Sequence, residues 1–329
     1  MKQYLFIIIL LALMQCKNDS STMLSFNKVD NVAFSSINYP QMIGLGIQLI
    51  KVDSFLLVND FFGDSLLNVY NLNQHEVKKK LISKGTGPDD MSSPLDMKIC
   101  EDKLYILSRP RFHFAYYPLD CTYKKVKLEG HTQLPPRSDN FLPLNDSLFL
   151  LSGMWDKRYA LYQKKMTDSI RVFGEFPTFW SEEKEFPVSV RAMFHQCQFV
   201  KHPVKNRFAT CSSFVLEIYD YDPTGKSLPK LITQKQLGKY RYAFTDGDII
   251  TAKRKKEESD LPISGIACSN EYIYLIQSGL DDNKKDNILI LDWNGNPIKM
   301  LKSDKEIMCL TIDEMNNKGY CVIQDPESK

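Results

Sequence analysis

The sequence has almost no net charge. Its 42 Lys and Arg residues nearly balance 40 Asp and Glu residues, which leaves a formal charge of +2. A protein that attracts nucleic acid or an acidic membrane surface through its overall field needs a clear excess of basic residues. The balance therefore predicts no nucleic-acid partner, and any partner must be recognised by a local surface.

Familiar catalytic motifs are also missing. The five histidines form no HExxH pair, and the chain contains no GxSxG nucleophile elbow and no CxxC pair. The segment Gly85-Thr86-Gly87-Pro88 lacks the Lys-Ser/Thr that follows in a phosphate-binding loop, so we interpret it as a turn between repeats. The sequence favours a protein that is not an enzyme and predicts no cofactor.

The N-terminus carries an apolar run that is too short to span a bilayer. Lys2 precedes the run at residues 5–14, whereas a membrane-spanning helix needs about 20 apolar residues. This pattern predicts a signal peptide over residues 1–15. The run ends at Leu13-Met14-Gln15-Cys16, which resembles the lipobox of bacterial lipoproteins, although Gln15 stands where that family usually has Gly, Ala or Ser.

The lipobox resemblance implies a lipid on Cys16 and a location in the bacterial cell envelope. Residues 16–22 are then a lipidated tether that anchors the protein in the outer membrane, facing either the periplasm or the surface. An ordinary secretory signal with a chance cysteine is the alternative. Residues 23–329 are expected to form a single domain and a monomer.

Apart from Cys16, the chain has an odd number of cysteines, so at least one is expected to be free. One or two disulfides remain an alternative in an exported protein. Most of these cysteines lie in apolar segments, and we interpret them as small buried residues. They are Cys100, Cys121, Cys197, Cys211, Cys268, Cys309 and Cys321.

A repeat of 44 to 66 residues runs through the chain. Each copy contains a short apolar strand, a polar turn and a second apolar strand, and a third strand follows after a loop. This spacing is typical of the four-stranded blades of a β-propeller. Six second strands are predicted, at residues 55–59, 104–108, 148–152, 207–211, 272–277 and 319–324.

The last repeat contains only two strands before the chain ends, and such a blade would leave an exposed edge. The N-terminal residues 23–34 contain apolar positions that suit the missing outer strands. We therefore predict an all-β fold, a six-bladed β-propeller of four-stranded antiparallel blades, with the ring closed by pairing of N- and C-terminal strands.

The repeated strands and two of the connecting segments resemble those of the TolB-like six-bladed β-propeller lipoproteins of Bacteroides-type bacteria. The segment Gly85-Thr86-Gly87-Pro88-Asp89-Asp90 is similar to the Gly-x-Gly-Pro-x-Glu segment that joins the first two blades in that family, with Asp90 in place of Glu. The turn at residues 291–298 also looks like the strand turns of this family and of NHL-type propellers. The resemblance implies the fold and says little about activity.

Loops between the second and third strands of a propeller emerge on one face, where their side chains come together. In this chain they place aromatic residues beside arginines, a combination typical of binding hot spots and of carbohydrate or carboxylate pockets. Solvated loop charges are the alternative. The predicted binding residues are Phe62, Arg109, Arg111, His113, Trp155 and Arg158. The predicted function is a non-enzymatic binding or scaffold module for a glycan, a peptide or an envelope protein.

The second hypothesis is a metal-dependent propeller hydrolase or lactonase. Its channel metal would be held by Asp64, Asp281 or Asp282.

Two of the repeats contain long insertions. One contains the aromatic residues 173–186, for which burial against a neighbouring blade is favoured over a partner-binding protrusion or a cap over the channel. The other contains the mixed-charge run 253–258, which we interpret as a solvated loop, with contact to anionic lipid headgroups or an acidic partner as the alternative.

Overall fold

The computed structural model describes most of the chain. The described residues are 24–37, 43–63, 65–85, 87, 90–91, 94–108, 113–119, 129–164, 170–245, 251–278, 286–315 and 317–323. They form a ring of small antiparallel sheets that follow one another in chain order. Within each sheet, consecutive strands are hydrogen-bonded neighbours, which confirms the predicted blade repeat.

The first three blades have four strands each. Their strands are β2 (Gly46–Val52), β3 (Phe55–Asp60), β4 (Ser65–Asn71), β5 (Glu76–Ser83), β6 (Pro94–Cys100), β7 (Lys103–Ser108), β8 (His113–Pro118), β9 (Gly130–Gln133), β10 (Ser138–Pro143), β11 (Leu148–Gly153), β12 (Tyr159–Gln163) and β13 (Ile170–Phe173).

The fourth and fifth blades also contain four consecutive strands, whereas the sixth contains two among the described residues. Their strands are β14 (Gln198–Lys201), β15 (Arg207–Ser212), β16 (Val215–Asp220), β17 (Lys230–Gln236), β20 (Ile263–Cys268), β21 (Tyr272–Gln277), β22 (Asn287–Asp292), β23 (Pro297–Lys302), β24 (Ile307–Asp313) and β25 (Lys318–Ile323). A separate hairpin, β18 (Tyr242–Thr245) and β19 (Thr251–Arg254), lies between blades 4 and 5.

Helical structure is short. The described residues contain one α-helix, α1 (Val188–Phe194), and two 3-10 helices at Ser181–Glu185 and Lys256–Glu258. Within this part of the chain, no helix has both the length and the apolar character needed to cross a membrane.

Local sequence signals explain the hairpins. The turns between first and second strands place Asp53, Glu101 and Asn317 at φ values of 48°, 56° and 49°, in the left-handed region. Asn and Asp tolerate this region better than most residues. Gly225 and Gly295 occupy it between third and fourth strands, with φ values of 69° and 79°. All six predicted second strands are found, as β3, β7, β11, β15, β21 and β25.

The core lies between adjacent blades. Between blades 2 and 3, Phe114 stacks on Phe141 with ring centroids 5.1 Å apart, and Phe149 lies 4.9 Å from Phe114. All three rings are fully buried. A strand between two blades must be apolar on both faces, which explains the nearly continuous apolar runs of the second and third strands.

The ring closes differently from the prediction. Strand β1 (Val29–Asn31) does not pair with β25; it pairs in parallel with β23 of the fifth blade, with Val29 opposite Met300. Leu24 and Phe26 pack against the apolar cluster of that blade, which holds the N-terminal segment there. Blades 1 and 6 meet through their innermost strands, where Lys51 Nζ lies 3.1 Å from Asp313 Oδ1.

The described cysteines are all free thiols, consistent with their interpretation as buried apolar residues. They are Cys100, Cys197, Cys211, Cys268, Cys309 and Cys321. Burial raises the pKa of Cys197, Cys268 and Cys309 to about 12, so these thiols are not reactive thiolates at neutral pH. Cys121 lies outside the described residues.

Candidate binding face

The loops between second and third strands emerge on one side of the ring, together with the connections between blades. We call this side the loop face. Turns between first and second strands lie on the opposite face, where Val204 is 79% exposed.

Among the described residues of the loop face, Phe62 is the most exposed aromatic residue, with 64% of its surface accessible. Its loop is fixed by the buried carboxylate of Asp60, which accepts hydrogen bonds from the backbone N–H groups of Gly44, Leu45 and Gly63 at 3.0, 2.9 and 3.1 Å. A Cβ atom on Gly63 would lie only 2.8 Å from Asp60 Oδ2, so this close approach requires glycine. The exposed ring is therefore carried by a well-defined backbone.

The third blade contributes a second apolar position. Met154, at the start of the loop after β11, is 39% exposed. Its neighbour Trp155 is half-buried and packs against the aromatic cluster between blades 2 and 3. His113, at the start of β8 in blade 2, is also half-buried, with its ring centroid 5.9 Å from that of His131. The structure thus places Phe62, His113 and Trp155 on three consecutive blades.

Several predicted site residues fall outside the described residues. They are Cys16, Asp64, Arg109, Arg111, Asp281 and Asp282. In the part of the chain that the structure does describe, no cluster of three or more His, Cys, Asp or Glu side chains suits a metal ion.

Arg158 is a correction to the predicted site. It is 2% exposed, and its Nε donates to Glu217 Oε2 of the neighbouring blade at 2.5 Å. Its Nη1 also donates to the backbone oxygen of His195 at 2.9 Å. Arg158 is therefore a structural cation between blades 3 and 4 and does not face a ligand.

Glu217 is the buried partner of that cation. Its carboxylate also accepts hydrogen bonds from the Tyr159 hydroxyl at 2.6 Å and from Gln234 Nε2 at 3.0 Å. Desolvation favours the neutral acid, but the Arg158 charge and these hydrogen bonds outweigh it and lower the pKa of Glu217. Arg158 and Glu217 therefore form a true buried ion pair.

The two long insertions pack together on the loop face. We call their described residues, 174–197, 237–245 and 251–262, the cap. Phe194 of α1 stacks on Tyr242 of β18 at 3.8 Å, and the Arg241 guanidinium lies 4.9 Å from the Trp180 ring. The aromatic residues Phe179, Trp180 and Phe186 are half-buried, and the cluster that they contact contains Tyr240 and Tyr242 of the other insertion as well as Phe214 of blade 4, so the predicted burial against a neighbouring blade is only part of their packing.

A single buried carboxylate joins the parts of the cap. Glu183 accepts hydrogen bonds from His195 Nε2 at 2.8 Å, the Tyr240 hydroxyl at 3.1 Å and the Tyr242 hydroxyl at 3.0 Å. The 2.8 Å contact alone would suit an ion pair. However, burial, together with the nearby Arg158 charge, lowers the pKa of His195. We therefore assign a neutral imidazole that donates its Nε2–H to Glu183.

Lysines and polar side chains from the innermost strands cross the central channel. Lys98 Nζ lies 3.0 Å from Asp96 Oδ2 and 2.9 Å from the backbone oxygen of Phe199, two blades away. Lys201 Nζ donates to the backbone oxygen of Leu144 at 2.7 Å. These bonds connect the blades across the centre of the ring.

Sequence reasoning missed Asp60, Lys98, Glu183 and Glu217. Glu217 could have been recognised from the sequence, because it is the only charged residue in the buried part of the apolar strand β16, which Asp220 ends. A lone acid in a buried strand requires a partner. Glu183 carried no such signal, because it stands among other acids at Glu182 and Glu185.

The chain is similar in sequence to one protein family. Residues 29–315 match the family described as "TolB-like 6-blade propeller-like". The chain belongs to this family. The match confirms the predicted resemblance and the all-β propeller fold of this TolB-like chain, and no curated protein matches it.

Solved propellers are similar to this TolB-like chain in fold. A member of the DUF4221 family from Bacteroides vulgatus ATCC 8482 is 9% identical, with a TM-score of 0.55 over 86% of this chain and 88% of the other. A candidate exported protein from Bacteroides fragilis NCTC 9343 is 11% identical, with a TM-score of 0.46 and coverages of 92% and 77%. The Cps50 (Swd1) β-propeller domain of Myceliophteria thermophila is 13% identical, with a TM-score of 0.43 and coverages of 82% and 89%. At these identities the likeness concerns the fold alone.

Proposed function

We propose that this TolB-like propeller is a non-enzymatic binding module of the bacterial cell envelope, anchored by a lipid on Cys16. Residues 23–329 act as one monomeric domain whose loop face binds a glycan, a peptide or a partner protein. The observation that carries this proposal is the exposed Phe62 ring on a loop held by three hydrogen bonds to Asp60.

A rigid, exposed aromatic residue suits binding for two reasons. It offers a large contact area, and a fixed loop loses little conformational freedom when a partner binds. Because 64% of its surface is exposed, the ring leaves most of its apolar area available to a partner.

The remaining candidates extend this surface along one arc of the ring. Phe62 belongs to blade 1, His113 to blade 2, and Met154 and Trp155 to blade 3. Arg109 and Arg111 belong to the loop of blade 2, between the two apolar positions in chain order. We infer a binding arc on blades 1 to 3, in which apolar contacts flank arginine donors for carboxylate or hydroxyl groups. The cap occupies the loop face beside blade 4.

Replacing Phe62 by serine tests the arc. We expect at least about a tenfold loss of affinity, because centrally placed aromatic residues dominate binding at interfaces. Binding of the purified mature chain is measured on a glycan microarray and on an immobilised peptide library. Val204→Ser is the matched control, because Val204 is exposed on the opposite face. Equal binding of Phe62→Ser and the parent protein to the same probe would refute the arc.

The anchor is tested separately with Cys16→Ser in a bacterial host. We expect the parent chain to incorporate labelled palmitate and to sediment with membranes, whereas the variant incorporates none. Continued palmitate incorporation by Cys16→Ser would rule out Cys16 as the lipidated residue.

A further inference from the structure

A small pocket lies on the loop face, beside the end of the cap, where the innermost strands of blades 4 and 5 begin. It encloses about 100 Å³, and all of its lining residues belong to the described part of the chain. Pockets that enclose a whole ligand measure roughly 300–1000 Å³. This pocket therefore has room for one substituent of a larger ligand. We call it the blade 4–5 pocket.

The lining of this pocket is polar but carries no ionised side chain. Its polar residues are Gln196, Gln198, Ser213 and Ser264. Its one titratable side chain is the Cys211 thiol, which burial keeps neutral by raising its pKa. A charged group would lose its hydration in the pocket without meeting an opposite charge. The lining therefore favours an uncharged group that forms hydrogen bonds.

Two glutamines can form hydrogen bonds with such a group. Gln198 Nε2 donates to the backbone oxygen of Ser264 at 2.9 Å, which fixes the carboxamide between blades 4 and 5. Because a carbonyl oxygen only accepts, this bond leaves Gln198 Oε1 as an acceptor for a ligand. Gln196 is exposed, and no other described residue occupies its carboxamide. The pocket thus offers one fixed acceptor and the N–H donors of Gln196.

The backbone that carries these glutamines is itself held in place. Arg158 Nη1 donates to the backbone oxygen of His195 at 2.9 Å, and Asn140 Nδ2 donates to that of Cys197 at 3.1 Å. These two oxygens flank Gln196 in the chain. A preorganised segment loses little conformational freedom when a ligand binds. The buried cation between blades 3 and 4 therefore also positions one wall of the pocket.

The other wall comes from blade 5. The register of β20 against β21 shifts between Ile263 and Gly265, which marks a β-bulge at Ser264. Bulges redirect side chains and are common beside binding sites. Ile263 and Cys211 are the apolar residues of the lining, and both are buried. The pocket therefore combines amide and hydroxyl groups with a small apolar contact.

We propose that the blade 4–5 pocket binds the N-acetyl group of an amino sugar. This group contains one N–H and one C=O and ends in a methyl, so it matches the polar and apolar parts of the lining. Its N–H donates to Gln198 Oε1, and its C=O accepts from Gln196 Nε2. Its methyl contacts Ile263 and Cys211. The assignment rests on the proposed binding function of the loop face and narrows the class of glycan.

A group with a free end suits this pocket better than a peptide does. A backbone amide has the same N–H and C=O, but the chain continues on both sides of it, whereas the pocket encloses only about 100 Å³. The side-chain amides of asparagine and glutamine have a free end but no methyl group for the apolar residues. An N-acetyl group meets both requirements.

Two trisaccharides test the assignment. Triacetylchitotriose and cellotriose share a β-1,4-linked pyranose backbone, and each ring carries an N-acetyl group in the first and a hydroxyl in the second at the same carbon. We expect the mature chain to bind triacetylchitotriose at least about tenfold more tightly, because a site built for a hydrogen-bonding group rejects the analogue that lacks it. NMR titration measures both affinities, and saturation transfer is expected to be strongest at the acetyl methyl protons.

Replacing Gln198 by methionine removes the fixed acceptor at nearly constant size. We expect Gln198→Met to bind triacetylchitotriose about tenfold more weakly than the parent chain. Gln74→Met is the matched control, because Gln74 is also exposed but lies in the turn between β4 and β5 on the opposite face. Both glutamines are in contact with solvent, so both variants are expected to fold.

Equal binding of the two trisaccharides, or no binding of either, would overturn the assignment. Equal affinities of Gln198→Met and Gln74→Met for triacetylchitotriose would do the same. A library peptide that requires Gln198 and is not displaced by triacetylchitotriose would assign the pocket to a peptide instead. None of these results refutes the binding arc, which is tested separately by the loss of probe binding in Phe62→Ser.

Discussion

Replacing Arg158 by alanine is expected to lower the free energy of unfolding by about 3–5 kcal/mol. The substitution leaves the Glu217 carboxylate buried between blades 3 and 4 without its cation. It also removes a hydrogen bond to the backbone of His195, where blade 3 meets the cap. An uncompensated buried charge is among the most destabilising changes that a single substitution can cause. Urea denaturation followed by tryptophan fluorescence measures the effect.

Lys157, which precedes Arg158 in the chain, is the control position for the unfolding measurement. Lys157 pairs with Glu175 at the surface, where 41% and 79% of the two side chains are exposed. Water screens that pair, so Lys157→Ala is expected to change the free energy of unfolding by less than about 0.5 kcal/mol. Similar losses for Arg158→Ala and Lys157→Ala would show that the buried pair does not hold blades 3 and 4 together.

Replacing Glu183 by alanine is expected to cost at least about 3 kcal/mol, because three buried donors lose their common acceptor. These donors are the Tyr240 and Tyr242 hydroxyls and the Nε2–H of His195. They come from both insertions, so the loss should loosen the cap before it affects the blades. Hydrogen exchange resolved by peptide is expected to rise first in residues 188–194 and 242–245.

Glu182→Ala is the matched control for the cap. Glu182 is the preceding residue in the same 3-10 helix, and its side chain is exposed. We expect its removal to leave both the unfolding midpoint and the exchange of the cap unchanged. If Glu183→Ala behaved like Glu182→Ala, the carboxylate would not be the connection between the two insertions.

The sequence could predict the blades because their signals are local. An apolar run beside a turn residue such as Asp53 or Asn317 defines a hairpin without reference to distant parts of the chain. Closure of the ring is not local. The position of β1 depends on whether Leu24 and Phe26 pack on blade 5 or elsewhere, and only the folded structure resolves that competition.

The binding face was predicted only in part, for a similar reason. Phe62 and Arg158 both lie in loops between second and third strands, and both look solvent-exposed in the sequence. They differ in the structure because Arg158 is buried against Glu217, which lies 59 positions away in the chain, whereas the Phe62 ring remains 64% exposed. A charge in a loop reveals its role only when its spatial neighbours are known.

The most direct test of the binding arc is photo-crosslinking in living cells. p-Benzoylphenylalanine is introduced at position 62 in one strain and at position 204 in another, and the adducts formed on illumination are compared. A loop-face binding module predicts adducts from position 62 and none from position 204. Adducts from position 204 alone, or equal yields from both positions, would contradict it.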